Sequence, residues 1–281
     1  MRAIKQLVRF GWEQALSCLF PVVIFASLAI TQILPLPLLP RYDWLLLICL
    51  LMQVWMVRSG LETLDELKVI TLFHLIGLAL ELFKVHMGSW AYPGEGYSKM
   101  FGVPLYSGFM YASVASYLCQ AWRRLKVELV NWPPFLAVVP LAAAIYINFF
   151  THHYWLDVRW WLSSLVLIVF WRSSVTFDVG GTRYRMPLAL SFVLIGFFLW
   201  IAENIATFFG AWKYPYQTDA WSLVHVGKVS SWLLLVIVSF LIVATLKQVK
   251  GRTPAPLKNR RPERNLRATA FTPEKGSARK A

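Results

Sequence analysis

The feature that most constrains this chain is an acidic motif written twice, each time at the end of a long apolar run. Glu81 begins E-x6-G-S-W-A-Y-P, which closes with Gly88, Ser89, Trp90, Ala91, Tyr92 and Pro93. Glu203 begins E-x6-G-A-W-K-Y-P, which closes with Gly210, Ala211, Trp212, Lys213, Tyr214 and Pro215. An ionisable group inside an apolar segment is costly unless it is enclosed and partnered. Two copies at one spacing point to a tandem duplication inside a membrane. The interval from Asp43 to Arg58 recurs from Asp157 to Arg172, with a serine after each arginine (Ser59, Ser173). Copy two carries about eight extra residues between these markers. They are assigned to V-T-F-D-V-G-G-T-R-Y-R, whose alternation around Gly180-Gly181 predicts a tight β-hairpin.

Composition fixes the class. Apolar residues make up 58% of the 281 and charged ones 15%, too few to cover a water-soluble globule. Apolar runs approach the ~20 residues that cross a bilayer. About eight spans are expected: Leu16–Leu34, Trp44–Val57, Val69–Leu82, Val103–Trp122, Phe135–Phe150, Trp160–Phe170, Pro187–Phe209 and Val226–Leu246. The expected fold is an all-α polytopic transmembrane helix bundle built as two parallel four-helix tandem repeats. Residues 1–126 form the first repeat, 127–246 the second and 247–281 a basic tail. Parallel repeats imply a pseudo-two-fold axis along the membrane normal and a shared cavity where the halves meet.

The formal charge of +14 does not read as nucleic-acid binding, because its placement is asymmetric. Arg2, Lys5, Arg9, Arg58, Lys68, Arg123, Arg124, Lys126, Arg172, Arg183 and Arg185 fall on one side together with the tail. That is the positive-inside pattern and gives N-in/C-in, with both W-x-Y-P motifs outside the cytoplasm. The tail is expected to be disordered and to lie on anionic inner-leaflet lipid. Cys18, Cys49 and Cys119 have no redox or zinc spacing and read as small apolar residues. No metal is expected, since His86, His152, His153 and His225 lack ligand spacing, and no fingerprint of a cofactor is present.

The candidate chemistry lies at the motifs. Glu81 and Glu203 are the candidate acid–base pair. Trp90, Tyr92, Trp212, Tyr214, Lys84, Lys228 and His74 are candidate substrate-binding residues. Thr71, His74, Glu81 and Lys84 share one helical face. A structural alternative pairs Glu81 with Lys84 at i,i+3, and Glu203 with Lys228. Gly88 and Gly210 are expected to turn the backbone after each helix. Gly108, Ala112 and Ser116 form a small-residue packing ridge, and Thr63-x-x-Glu66 a capping box.

The stretches F-G-W-E-Q-A-L-S-C-L-F-P (Phe10–Pro21), E-L-F-K-V-H-M-G-S-W-A-Y-P (Glu81–Pro93) and G-V-P-L-Y-S-G-F-M-Y (Gly102–Tyr111) resemble the YoaT-like family of uncharacterised bacterial membrane proteins. That resemblance covers nearly all the chain except the tail and implies a bacterial inner-membrane protein. The order Glu81, Gly88 to Tyr92, Pro104-Leu105 is also similar to small duplicated membrane lycopene cyclases. Where those enzymes carry two glutamates this chain has Tyr106-Ser107, and copy two has Lys228-Val229-Ser230-Ser231. The leading expectation is binding or modification of an apolar, isoprenoid-like or lipid molecule by glutamate acid–base chemistry, with membrane lipid as the surrounding partner. Small-solute transport and a substrate-free scaffold are the alternatives.

Overall fold

The computed structural model describes residues 2–34 and 36–252. In chain order it has α1 (Arg2–Ser17), α2 (Leu19–Ile33), α3 (Arg41–Arg58), α4 (Leu64–His86), β1 (Lys99–Met100), β2 (Val103–Pro104) and α5 (Ser107–Arg124). There follow β3 (Glu128–Val130), α6 (Phe135–Thr151), α7 (Arg159–Val169), β4 (Ser174–Val179), β5 (Thr182–Pro187), α8 (Leu188–Phe208), a 3₁₀ turn (Pro215–Gln217) and α9 (Lys228–Arg252). The eight expected apolar segments correspond to α2 through α9. By length and hydropathy, α4, α8 and the Lys228–Lys247 part of α9 can each cross a membrane, and α1 with α2 makes a fourth if the bent pair is one span.

The remaining helices fall short for identifiable reasons. α3 carries Arg41, Asp43 and Arg58 at its ends. α5 buries Gly108, Ala112, Ser113, Ala115 and Ser116 among its neighbours, so it needs no apolar lipid-facing coat. α7 has 11 residues, about 16 Å of helix. The outside of the bundle is apolar: Leu51 on α3, Leu136 on α6, Ile168 on α7 and Phe198 on α8 are all exposed. An apolar exterior around buried polar groups suits lipid as the solvent.

The first expected span begins later than the sequence suggested. The helix breaks at Cys18, and α1 and α2 meet at 69°. Pro21 removes a backbone donor, and its ring crowds the carbonyl of Ser17, where α1 ends. α1 is therefore a separate amphipathic helix, exposing Ile4, Leu7, Val8 and Trp12 while packing on α5 and β4. The last helix runs further than expected: residues 247–252, assigned to the tail, continue α9. The disorder expected for 253–281 concerns residues outside the described ones.

The closest helix pairs are α4 with α5 and α8 with α9. Glycines set the first of these. A Cβ on Gly77 would lie 2.4 Å from the Tyr111 ring, and one on Gly108 would lie 2.7 Å from the His74 ring. In the second pair a Cβ on Gly196 would meet the Leu233 backbone at 3.0 Å. At the N-terminal end of α4 the expected capping box is present, Glu66 N–H donating to Thr63 Oγ1 at 3.2 Å and Thr63 N–H to Glu66 Oε2 at 2.9 Å. Glu66 also pairs with Arg123 and Lys247, each at 2.6 Å, which binds α4 to the ends of α5 and α9.

The expected hairpin forms as β4 and β5, with Val179 opposite Thr182 and Gly180 and Gly181 at φ 61° and 78°. Two positive φ values in a two-residue loop call for glycine. β3 joins its other edge to give the order β3-β4-β5. The sheet sits against α1, where Phe10 meets Phe177 at 5.5 Å.

Gly77→Ala is expected to lower stability by about 1–3 kcal/mol, as overpacking does. Gly11→Ala, whose Cβ would meet nothing within 4 Å, should be neutral or stabilising by a few tenths of a kcal/mol. Thermal unfolding of the two variants in one detergent checks the contrast.

Candidate functional site

Each W-x-Y-P motif folds back over the end of its own helix by the same hydrogen bonds. After α4, Gly88 N–H donates to Val85 O and Ser89 N–H to Lys84 O. After α8, Gly210 N–H donates to Thr207 O and Ala211 N–H to Ala206 O. Gly88 and Gly210 have φ of 67° and 65°, the left-handed position at which this C-terminal motif takes glycine. The turn returns a tyrosine, eleven residues on, to the glutamate that opens each motif.

The two carboxylates are buried, Glu81 3% and Glu203 4% exposed. Glu81 accepts from Trp90 Nε1 and the Tyr92 hydroxyl at 2.7 Å each and from the Tyr111 hydroxyl at 2.8 Å. Glu203 accepts from the Tyr214 hydroxyl and from Trp232 Nε1, the latter at 2.7 Å. The scheme is shared: one donor comes from the motif tyrosine and one from an aromatic on the following helix, Tyr111 of α5 or Trp232 of α9. Sequence reasoning missed Tyr111 and Trp232, whose spacings of 30 and 29 residues from the acids were the only available signal.

The two motifs also join each other. Ala91 and Lys213, the same position in both copies, form an antiparallel bridge with both N–H···O distances at 2.9 Å. Tyr106 adds a hydroxyl hydrogen bond to Ala211 O at 2.8 Å. Tyr106 is thus a tie between the start of α5 and the second motif. Arg41 of α3 donates to Phe209 O and Gly210 O at 2.5 and 2.9 Å, satisfying carbonyls at the negative end of α8.

The expected ion pairs do not form. Among the described residues neither Glu81 nor Glu203 has a cationic nitrogen within 4.0 Å. Lys84 turns away from Glu81 and reaches His152 Nε2 at 3.3 Å and His153 Nε2 at 2.8 Å. Lys228 lies over the rings of Tyr214 and Trp90, 4.8 and 5.5 Å from their centroids. Those rings come from different copies and meet edge to face at 6.0 Å. Aromatic donors satisfy the acids, so the lysines are held by imidazole and π faces instead.

These groups close one end of a cavity of about 970 Å³, at the upper end of the ~300–1,000 Å³ found for small-molecule sites. Its walls are apolar and come from both halves, including Phe25 and Leu28 of α2, Met110 and Val114 of α5, and Ile195 and Phe198 of α8. α1 reaches its other end through Leu7 and Phe10. Glu81, Glu203, Lys84, Lys228, Trp90, Trp212 and Tyr214 all border the cavity. Tyr92 and His74 do not. Tyr92 is packed beneath Glu81 against Tyr42 and Tyr106, and His74 lies on Phe109 at 4.5 Å with Nδ1 buried and unpartnered.

The loop after α6 completes the polar end. His152 Nδ1 lies 2.8 Å from Asn148 O, so that nitrogen carries the proton and Nε2 accepts from Lys84. Burial pushes the His153 imidazole down to about 4, and the charges of Lys84 and Lys228 act in the same direction. Burial works against the Asp157 carboxylate, yet hydrogen bonds from Arg159 and Asn148 outweigh it and hold that group at about 2.

A second buried polar cluster was not expected. Glu62, 2% exposed, accepts from Ser116 of α5 and Gln53 of α3 just before α4 begins. It lies just before the capping box, and nothing in its sequence spacing marks it.

An unfolded histidine titrates near 6.5. The folded His153 resists protonation down to about 4, so its contribution is present above pH ~6.5 and is lost as pH falls toward 4. The melting temperature should fall across that window, and His153→Gln should flatten the fall. Removing one donor by Tyr92→Phe or Tyr214→Phe should cost about 1–3 kcal/mol, the range for leaving a buried acceptor short of a partner.

Residues 6–240 match the family model described as "Protein of unknown function (DUF817)". The chain is 85% identical over 254 residues to "Uncharacterized protein YoaT" of Bacillus subtilis (strain 168), covering 90% of this chain and 96% of that protein. Among solved structures it is similar to a mycobacterial Insig homolog, MvINS from Mycobacterium vanbaalenii, at 14% identity and a TM-score of 0.49, over 69% of this chain and 98% of that one. A cross-linked MvINS trimer matches with a TM-score of 0.47. With its expected relatives thus found, the chain belongs to the DUF817 family.

Proposed function

We propose that this protein binds a long apolar molecule within the membrane, in the cavity between its two halves, and that Glu81 and Glu203 exchange a proton with it. The observation that carries the reading is the cavity itself: apolar along its length, bordered by both halves, with its ionisable groups gathered at one end. That distribution suits an amphiphile with its polar part at the motifs. Glu81 and Glu203 both border the space, and each is oriented by aromatic hydroxyl and indole donors rather than neutralised by a cation. Transport is less well supported, because His74, the polar group that would continue a path inward, lies outside the cavity lining.

The same reading arranges α2–α5 and α6–α9 as two parallel four-span halves in the bacterial inner membrane, with N-in/C-in orientation. The like-for-like bridge between Ala91 and Lys213 supports a local two-fold relation between them. So do the matched donor sets of the two glutamates.

Mass spectrometry of apolar molecules that co-purify in mild detergent tests this. The wild-type protein should enrich one lipid or isoprenoid species over bulk phospholipid, and Ala202→Phe, which fills the cavity wall, should lose it. The Glu81→Gln/Glu203→Gln protein should retain a species altered from that in wild type if the acids act on it. Bulk phospholipid alone in every sample would overturn the proposal.

A further inference from the structure

The polar end of the cavity contains more positive charge than its direct contacts neutralise. Lys84, Lys228 and Arg159 all border it. Lys84 is 5% exposed, and among the described residues neither lysine has a carboxylate within 4.0 Å. Imidazoles hold Lys84 and ring faces hold Lys228. Arg159 pairs with Asp157 through Nε and Nη2, while its Nη1 extends to Ser231 Oγ at 3.3 Å, beside the cavity. Glu81 and Glu203 border the same space, yet their oxygens face tyrosine and tryptophan donors.

Buried cations are costly without an anion to meet them. Imidazole and ring contacts replace part of the lost hydration but supply no countercharge. Three cationic side chains from three helices, α4, α7 and α9, converge on one end of an apolar chamber. Phosphate oxygens suit such a set, the lysines acting as point charges and Arg159 offering Nη1, the nitrogen not engaged by Asp157.

We propose that the cavity is a site for an anionic amphiphile, a phosphate ester of a long hydrocarbon, with its phosphate at Lys84, Lys228 and Arg159. This rests on the apolar-cavity reading above and adds the chemistry of the headgroup. The chain lies between α2 and α8, and the phosphate supplies the countercharge that the present contacts of the two lysines lack. Trp90 and Tyr214, beneath Lys228, fix the ammonium at the headgroup level. A phosphate monoester on a single chain and the phosphodiester of a membrane lipid share this chemistry.

The test measures binding to the full-length protein in a neutral detergent, using hexadecyl phosphate, hexadecanol, a single-chain lysophosphatidylglycerol and inorganic phosphate. Hexadecyl phosphate should bind about tenfold or more tightly than hexadecanol, as expected for a desolvated charge-assisted contact. Lys84→Gln/Lys228→Gln should abolish that preference, so that this variant binds hexadecyl phosphate no more tightly than hexadecanol. Lys84→Arg/Lys228→Arg should retain the preference, which separates lost charge from lost folding.

Tighter binding of the lysolipid than of hexadecyl phosphate would identify a membrane phosphodiester as the source; the reverse would identify a monoester. Binding of inorganic phosphate alone with equal strength would overturn the amphiphile. Equal affinity for hexadecyl phosphate and hexadecanol would overturn the anionic headgroup while leaving the apolar site standing. Failure of both to bind would overturn the apolar site as well.

Discussion

The structure depends on burying two carboxylates without giving either a cation. An acid at Glu81 or Glu203 is expensive in a low-dielectric bundle unless its oxygens are met by donors. The chain meets that requirement by bending back: glycine ends the helix, and the next residues return a tyrosine to the acid. The following helix then contributes a second aromatic donor, which fixes α5 against α4 and α9 against α8. Helix pairing, motif conformation and the polar end of the cavity are therefore consequences of one electrostatic demand met twice.

The two solutions are also connected. The bridge between Ala91 and Lys213 couples the motifs through backbone, and Trp90 of one copy lies against Tyr214 of the other with Lys228 over both. A change at either glutamate would be felt by its partner loop. Away from these loops α5 packs on α9, and α2 and α8 border the cavity. Binding at such a site draws on apolar surface along the walls and on a few oriented polar groups at one end.

Much of this was legible in the sequence because its causes are local. The helix-ending role of Gly88 and Gly210, the Gly180-Gly181 hairpin and the Thr63/Glu66 cap each depend on residues within a few positions of one another. The glutamates and five of the seven expected binding residues do border one cavity. What was not legible depends on contacts between distant segments. Spacing placed Lys84 on the face of Glu81, but the histidines that hold it arrive from the loop after α6. Arg41 reaches carbonyls at the far end of α8, a partner no local pattern signals. The break at Cys18 is hidden because apolar residues continue through it, and Pro21 alone does not say whether a helix bends or ends there.

The central claim is that the two motif copies close on each other above a shared cavity, and a cross-link tests it most directly. Ala91 and Lys213 exchange both backbone hydrogen bonds, a pairing with Cα atoms about 5.5 Å apart, within the span a disulfide bridges. In a protein with Cys18, Cys49 and Cys119 replaced by alanine, Ala91→Cys/Lys213→Cys should oxidise to an intramolecular disulfide in membranes. That bond should be detected as a linked peptide within one chain. Free thiols after mild oxidation, or links formed only between chains, would contradict the account.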